Sequence, residues 1–560
     1  MYVADFETTA NTDDCRVWAW GLFEIGSLGN FEYGTDIDSF MERLKQLSKD
    51  KETVYFHNLK FDGEFILYWL FTHGWSHVTE KADRRNCTFM TLISDKGAFY
   101  AMDLYFKMLK TRQYKVRILD SLKILPLSVA EIAPAFGLPI QKEEIDYAAD
   151  RPVGHELTPE EVSYLRNDCE IVARAIEALH KKELTKMTTA ANAMNSYKEI
   201  ITRKNFGYWY PEPDYDADVR QSYRGGFTYA DPRFTGREMG EGIVLDVNSL
   251  YPAVMYNCAL PYGDPIFFEG QYKQDSLYQL YVQMIICNFR LKPGHIPTIQ
   301  IKYNAAFVPT EYLIDSRGED VALCLTSVDL ALFFKHYDIY NIEYVSGWKW
   351  KASTILFKDY IDKWYAEKQE ATIEHNPGRR TIAKLMLNSL YGKFGMNPKT
   401  RSKIPVYNRQ EDRVQYVYGE WEERKPVYIP LASFVTAWAR YQTITAAQSV
   451  YDRFMYADTD SLHLLGTEIP PELDVDPVRL GAWKHEATFT RAKYLRAKSY
   501  VEEVDGKLNI TCAGLPADCY DQVTFENFSE NAVYTGKLRP VHTAGGIVLE
   551  EINFSIRKGR

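Results

Sequence analysis

Phe454-Met455-Tyr456-Ala457-Asp458-Thr459-Asp460-Ser461-Leu462-His463-Leu464-Leu465 is the stretch on which the fold turns. Two apolar runs flank a short polar centre, the pattern of a β-hairpin whose turn carries two carboxylates. Asp-x-Asp alone means little in this chain, which has it at Asp36/Asp38, Asp214/Asp216, Asp216/Asp218, Asp458/Asp460 and Asp474/Asp476. The other four stand in polar or proline-rich surroundings and read as loops or caps. A solvated acid pair needs no apolar walls, so Asp458 and Asp460 stand apart.

Working outward, the apolar run Gly242–Leu245 delivers a third acid in Asp246-Val247-Asn248-Ser249-Leu250-Tyr251-Pro252, which a proline ends. Between the acids lies Lys384-Leu385-Met386-Leu387-Asn388-Ser389-Leu390-Tyr391-Gly392. On a helix Lys384, Asn388 and Tyr391 recur at i, i+4 and i+7 and share one face. A cation, a polar group and a ring in line are the contacts a nucleotide needs for its phosphates, sugar and base. Without the flanking acids, an amphipathic helix with a stray lysine would be the better reading.

A second acid set opens the chain. Asp5 and Glu7 lie two apart on a strand-like segment and point to one face. Side-by-side carboxylates repel unless a cation lies between them, and oxygen donors suit a hard metal. His57-Asn58-Leu59-Lys60-Phe61-Asp62 adds a carboxylate after a β-run, at the head of an apolar helix. Tyr164 and Asp168 lie four apart on a predicted helix from Pro159 that Thr158 caps, with Glu160 and Glu161 favouring its dipole.

Bulk properties set the bounds. At 560 residues, with 46% hydrophobic and 25% charged, the chain has material for two to four cores of a soluble globular protein. No apolar run reaches the roughly 18 residues of a membrane span. Met1 to Glu7 show neither a basic nor an apolar leader region, so a secretory signal is not expected. Eight cysteines without a CxxC argue against structural zinc and disulfides. The net charge of −10 is unevenly spread: 349–409 hold 13 Lys and Arg against 5 Asp and Glu. Residues 484–500 add Lys484, Arg491, Lys493, Arg496 and Lys498 against Glu486. Basic channels in an acidic exterior focus field where a polyanion must lie, although a solvated basic helix face fits the composition equally well. The 40 tyrosines can stack on bases, but most serve packing.

Residues 1 to about 185 mix short β-runs with helical patterns, an α/β domain. Strands dominate from Tyr223-Arg224-Gly225-Gly226 to about 350. A helical pair follows over 356–396, interrupted at His375-Asn376-Pro377-Gly378, then a polar, turn-rich excursion over 397–426.

The first acid set resembles the three exonuclease motifs of DnaQ-like proofreading domains. The second resembles motifs A, B and C of family B DNA polymerases, in the right order behind it. The resemblance implies an N-terminal DnaQ/RNase H-like α/β exonuclease, then an α+β right hand of palm, fingers and thumb with two insertions. Asp5, Glu7, Asp62 and Asp168 would hold two metal ions, with Tyr164 aligning a water. His57, Asn58, Phe61 and the Ser121-Leu122 pair would contact a single-stranded 3′ end, and Lys142 the scissile phosphate. Asp246, with Val247 beside it, and Asp460 would hold the second metal pair, with Asp458 in support. Lys368 and Lys384 would bind the triphosphate, Tyr251 would exclude a 2′-hydroxyl, and Asn388 and Tyr391 would shape the nucleotide site. Tyr223, Arg224, Gly225 and Gly226 resemble the YxGG linker motif. Lys498 and Tyr500 resemble the primer-gripping KxY motif, and Thr436 and Arg440 a template contact.

The Asp-Phe-Glu-Thr-Thr start and the stretches at 259–356 and 397–426 resemble the protein-primed branch of small tailed phages, the phi-twenty-nine-like group. That likeness implies the exonuclease at 1–185, palm at 186–258 and 427–525, fingers at 357–396 and thumb at 526–560. The insertion 259–356 would meet a terminal protein that offers a hydroxyl as primer. The insertion 397–426 would close around DNA for processivity and strand displacement. Mg²⁺, replaceable by Mn²⁺, is the expected metal, and primer-template DNA, single-stranded DNA and dNTPs are the expected ligands. Otherwise the chain is expected to be a monomer in the cytoplasm of an infected bacterium, without membrane attachment. The finger region between Lys368 and Lys384, with its turn at 375–378, departs from these relatives by its length, and the segment after Tyr500 by its brevity. The rivals are an ordinary-primer polymerase, a nuclease with a vestigial polymerase half, and a non-catalytic DNA-binding factor. Both acid sets being whole argues against the last two.

Overall fold

The structure is a computed structural model that describes residues 1–9, 11–26, 30–146, 149–301 and 311–556. The N-terminal unit is built on an eight-stranded mixed sheet. Its centre is Tyr2–Thr8, antiparallel to Val17–Glu24 and parallel to Thr53–Phe56, which is itself parallel to Gln113–Asp120. Parallel neighbours need crossovers, and the helix Ile37–Leu47 supplies the one between the first pair. The helix Leu59–Thr72 then leaves the strand Thr53–Phe56 through Asn58, whose left-handed φ of 72° turns the chain abruptly. The predicted helix is present as Pro159–His180 and packs on Tyr2–Thr8 and Val17–Glu24. Thr158 caps it in a full capping box with Glu161, with Pro159 in its first turn.

The second unit centres on a five-stranded antiparallel sheet in the order Trp483–Phe489, Gly242–Val247, Ser461–Leu465, Phe454–Asp458, Thr228–Ala230. The expected hairpin is its middle pair, and Thr459 turns it with φ of 64°. The almost wholly buried helix Ile429–Ser449 backs this sheet and the helix Leu250–Asn257. The strand-rich stretch after 258 forms a separate sheet of Leu260–Glu269, Tyr337–Ser353, Leu280–Leu291 and Val321–Thr326, with a helix at Ser327–His336. The helical pair is Lys358–Ile373 and Pro377–Ser389, broken where expected, with His375 at φ 52°.

Residues 397–426 differ from a loose polar excursion. They form a nested β-ladder in which Lys399–Thr400 pairs with Glu422–Glu423 and Lys403–Asn408 with Arg413–Tyr418. Its tip docks on the helix Leu59–Thr72, with Val414 only 3% exposed. The last hairpin, Val533–Thr543 with Gly546–Ser555, reaches the same helix, where Gly546 lies against Phe65 with no room for a side chain. Among the described residues no helix is long and apolar enough to cross a membrane.

Candidate active sites

Local structure gathers the first acid set as the spacing predicts. Asp5 and Glu7 share one face of Tyr2–Thr8, Asp62 stands in the first turn of Leu59–Thr72, and Tyr164 and Asp168 face them from Pro159–His180. All line one cleft of about 620 Å³ with His57, Asn58, Phe61 and Lys142. The far wall comes from the C-terminal hairpin through Leu538, Ile547, Val548 and Leu549. Burial and then the charge of Asp168 push the Asp5 carboxyl up to about 7. Burial, reinforced by their neighbours' charges, also raises Glu7 and Asp62. Burial raises Asp168 as well, against the pull of Lys142. The Lys142 ammonium donates to the Asp168 carboxylate and, at 3.0 Å, to the Tyr164 hydroxyl. The other Asp168 oxygen, Oδ1, is buried without a hydrogen bond.

Two expected strand contacts take other roles. Ser121 is fully buried, donates to the Phe56 carbonyl and meets His57 Nδ1 at 3.0 Å, while His57 Nε2 meets the Leu127 carbonyl at 2.7 Å. Ser121 therefore braces the His57–Asn58 turn. Leu122 stays partly exposed, and Asn58 is exposed. Asp120, which opens the segment Asp120-Ser121-Leu122 that resembles a single-strand contact, accepts from the backbone N–H groups of both Asn58 and Leu122.

The second set meets at the five-stranded sheet. Asp246 ends Gly242–Val247 opposite Ser461 and Lys484, and the Val247 N–H donates to the Asp460 carbonyl at 2.8 Å. Burial and then Asp460 push the Asp246 carboxyl up to about 7, and burial raises Asp460. Asp458 is engaged differently: the Lys498 ammonium donates to both its oxygens at 2.9 and 2.8 Å, and the Thr228 hydroxyl adds 3.1 Å. That pairing suits a supporting role for Asp458 and places Lys498 on the acid turn. Tyr500 packs against Tyr456 at 4.8 Å between ring centres.

Tyr251 and Tyr391 stack at 4.1 Å, beside Asp460, whose charge helps raise both phenols that burial already raises. Lys384 and Asn388 are exposed, while Ile382, Ala383, Met386 and Leu387 bury the other side of their helix. Burial and then the charges of Arg380, Lys384 and Lys484 lower the Lys368 ammonium, so four cations converge here. Arg380 and Lys484 were not among the expected residues. Arg380 stands four before Lys384, a signal the helix spacing contains; Lys484 reaches Asp246 only through strand register.

Thr436 and Arg440, expected at a template contact, are buried in the chain's own packing. Each is 1% exposed. The Thr436 hydroxyl donates into its own helix. Arg440 forms a bidentate pair with Asp329 at 2.8 to 3.1 Å and donates to the carbonyls of Arg224 and Gly225. Arg224 in turn donates to the carbonyls of Gln300, Ser222 and Cys324. Both arginines therefore hold the Tyr223–Gly226 loop. That loop touches both ends of the site: Gly226 lies against Thr459, and Tyr223 against Gly395.

Each acid set consists of oxygen donors only; burial raises Asp5, Glu7, Asp62 and Asp168 in the first and Asp246 and Asp460 in the second, with an unsatisfied buried oxygen at Asp168. Such donors fit hard divalent cations. Among the described residues no three acidic, histidine or cysteine side chains already converge on one point.

The family model for "DNA polymerase type B, organellar and viral" matches residues 44–154 and 144–476. The chain belongs to the type B DNA polymerases. The polymerase is 46% identical over 580 residues to the DNA polymerase of Bacillus phage Nf, covering 100% of this chain and 99% of that one. It superimposes with TM-score 0.94 and 45% identity on phi29 DNA polymerase complexed with primer-template DNA, covering both chains fully. With the ternary complex that also holds incoming nucleotide, the TM-score is 0.93 at 44% identity. The two-part fold is thus a family B polymerase preceded by its exonuclease unit.

Proposed function

We propose that this polymerase replicates a linear phage genome from a protein primer and proofreads with the site at Asp5, Glu7, Asp62 and Asp168. The observation that carries the reading is that one chain holds two separate buried acid clusters in different surroundings. One adjoins stacked tyrosines and four cations suited to a nucleotide triphosphate. The other lies in a narrow cleft walled by the C-terminal hairpin, suited to a single strand.

In the polymerase site Asp246 and Asp460, with Val247, would hold two Mg²⁺ ions, which lower the pKa of a 3′-hydroxyl and neutralise phosphate charge when bound. Lys368, Arg380 and Lys384 orient the triphosphate from the helical pair, so attack proceeds in line. The Tyr251–Tyr391 stack floors the sugar and base, where an added 2′-hydroxyl meets a ring. In the exonuclease site Tyr164 and Lys142 orient a water and the scissile phosphate against Asp168. Asn58 and Phe61 hold the last bases. We assign palm, fingers, thumb and the two insertions to the ranges expected from sequence, with the 259–356 sheet facing a terminal protein and the 397–426 ladder flanking DNA. The host cytoplasm supplies both primer protein and dNTPs.

A 5′-labelled primer on a longer template, with Mg²⁺ and rising dNTP, tests the reading. Shortening without dNTP that turns into full extension as dNTP rises is expected. Shortening at every dNTP level would leave only the nuclease. Adding the cognate terminal protein with the first dNTP should yield a protein-linked nucleotide.

A further inference from the structure

At the base of the 397–426 ladder the Arg401 guanidinium lies 3.7 Å from the ring centre of Tyr418 and 4.6 Å from that of Trp421. Two residues along, the Lys403 ammonium stands 5.7 Å from the same Tyr418 ring. These rings are not core. Trp421 is 62% exposed and Tyr418 54%. Arg401 is a cation without a counterion: no ion pair of its guanidinium occurs among the described residues, and its Nε has no hydrogen bond. Nearby acids have other partners, Glu422 pairing with Arg424 and Glu423 facing Lys399 across the ladder, which leaves Glu420 exposed.

A guanidinium stacked between two rings could simply staple the ladder. A staple would gain by covering its rings and pairing its charge, and this cluster does neither. Lys399, Arg401 and Lys403 instead recur every second residue on extended chain, about 6.6 Å apart at a rise of 3.3 Å per residue. Cations at that interval, interleaved with open aromatic faces, are the composition of a single-strand stacking surface. The cluster also adjoins a cleft of about 940 Å³ lined by Tyr223, Arg224, Asn397, Lys399 and Glu423. The same Tyr223–Gly226 loop lies, at Gly226, against Thr459 of the Asp458–Asp460 turn.

We propose that Arg401, Tyr418 and Trp421 form a stacking platform for unpaired DNA bases, with Lys399 and Lys403 on the adjoining phosphates. The platform rests on the reading above that the 397–426 ladder flanks DNA. Two sources offer the same chemistry, the template strand before it is copied and the strand displaced from it.

Full-length Trp421→Ala and Trp421→Phe, compared with the unaltered chain in metal-free buffer, separate the possibilities by fluorescence anisotropy on three DNAs. The first is a primed strand with a long unpaired template overhang. The second has that overhang covered by a complement with an unpaired 5′ flap, and the third is a blunt duplex. Trp421→Ala should bind the first or the second about tenfold more weakly, the loss of one base–ring stack, and the blunt duplex within about twofold. Trp421→Phe should recover most of the loss. Weakening on the overhang alone assigns the platform to the template, weakening on the flap alone to the displaced strand, and weakening on both to either in turn. Unchanged binding to all three overturns the proposal. So does an equal loss on all three, which would mark a staple of the ladder. Failure of the unaltered chain to extend the first DNA with Mg²⁺ and dNTP would instead remove that underlying reading, and the platform with it.

Discussion

Asp246 and Asp5 owe their raised carboxyl pKa values of about 7 to burial beside other acids. Between the ordinary 3.8 and about 7 such a carboxyl binds more protons folded than unfolded, so its contribution makes metal-free stability fall as pH climbs through that window. Asp246→Asn should therefore raise the metal-free melting temperature near pH 8 and change it little near pH 4. Mg²⁺ should stabilise the unaltered chain more than this variant, since only the former keeps the full ligand set; calorimetry at both pH values checks both statements. Asp246→Ala or Asp460→Ala should abolish synthesis while sparing degradation, and Asp5→Ala with Glu7→Ala should do the reverse, read from the labelled-primer assay. Loss of both activities in a folded variant would contradict two independent sites. The acids themselves were legible because each set rests on short-range signals: alternation on a strand, a helical turn between Tyr164 and Asp168, apolar walls around Asp458. Lys498 on Asp458 was not, since a pair 40 residues apart follows from strand register that spacing does not encode.

The helix Ile429–Ser449 shows what an element adds. Its Arg440 is one of the largest fully buried side chains, and a buried guanidinium persists only with a partner. Asp329, 111 residues away, is that partner. Arg440→Ala would strand the Asp329 charge, a cost of about 3–5 kcal/mol, whereas Arg440→Leu with Asp329→Leu should recover much of it. Urea denaturation of the three proteins checks the ordering. Both changes also take two donors from the carbonyls of Arg224 and Gly225, so primer transfer between the sites should suffer even where stability returns. The pattern of residues alone resembles a template contact; burial and a distant acid show that Arg440 also positions the Tyr223–Gly226 loop. The 397–426 ladder escaped prediction for a related reason. Its turn-rich, polar sequence has little apolar alternation, and its order comes from docking Val414 and Tyr416 on another unit.

At the scale of the molecule, three parts of the chain meet at Glu64, a carboxylate 2% exposed on the helix Leu59–Thr72. The Tyr416 hydroxyl of the ladder donates to its Oε1 at 2.8 Å, and His542 of the C-terminal hairpin approaches its Oε2 at 3.4 Å. Tyr416 and His542 also face each other at 5.8 Å. Glu64→Ala should loosen this junction, shortening products made in one binding event several-fold while the rate per nucleotide holds. Extension with an excess of trap DNA, measured over time, separates the two. None of the three residues stood out in the sequence, because an isolated glutamate on a helix ordinarily faces water. A junction of this kind joins the N-terminal unit, the ladder and the last hairpin at one point. A strand threaded between these parts, as proposed above, would be held by topology, and such a hold would need no tight grip at any single point. Such an enzyme would slide freely over every sequence, yet on a strand without ends it would have nowhere to get off.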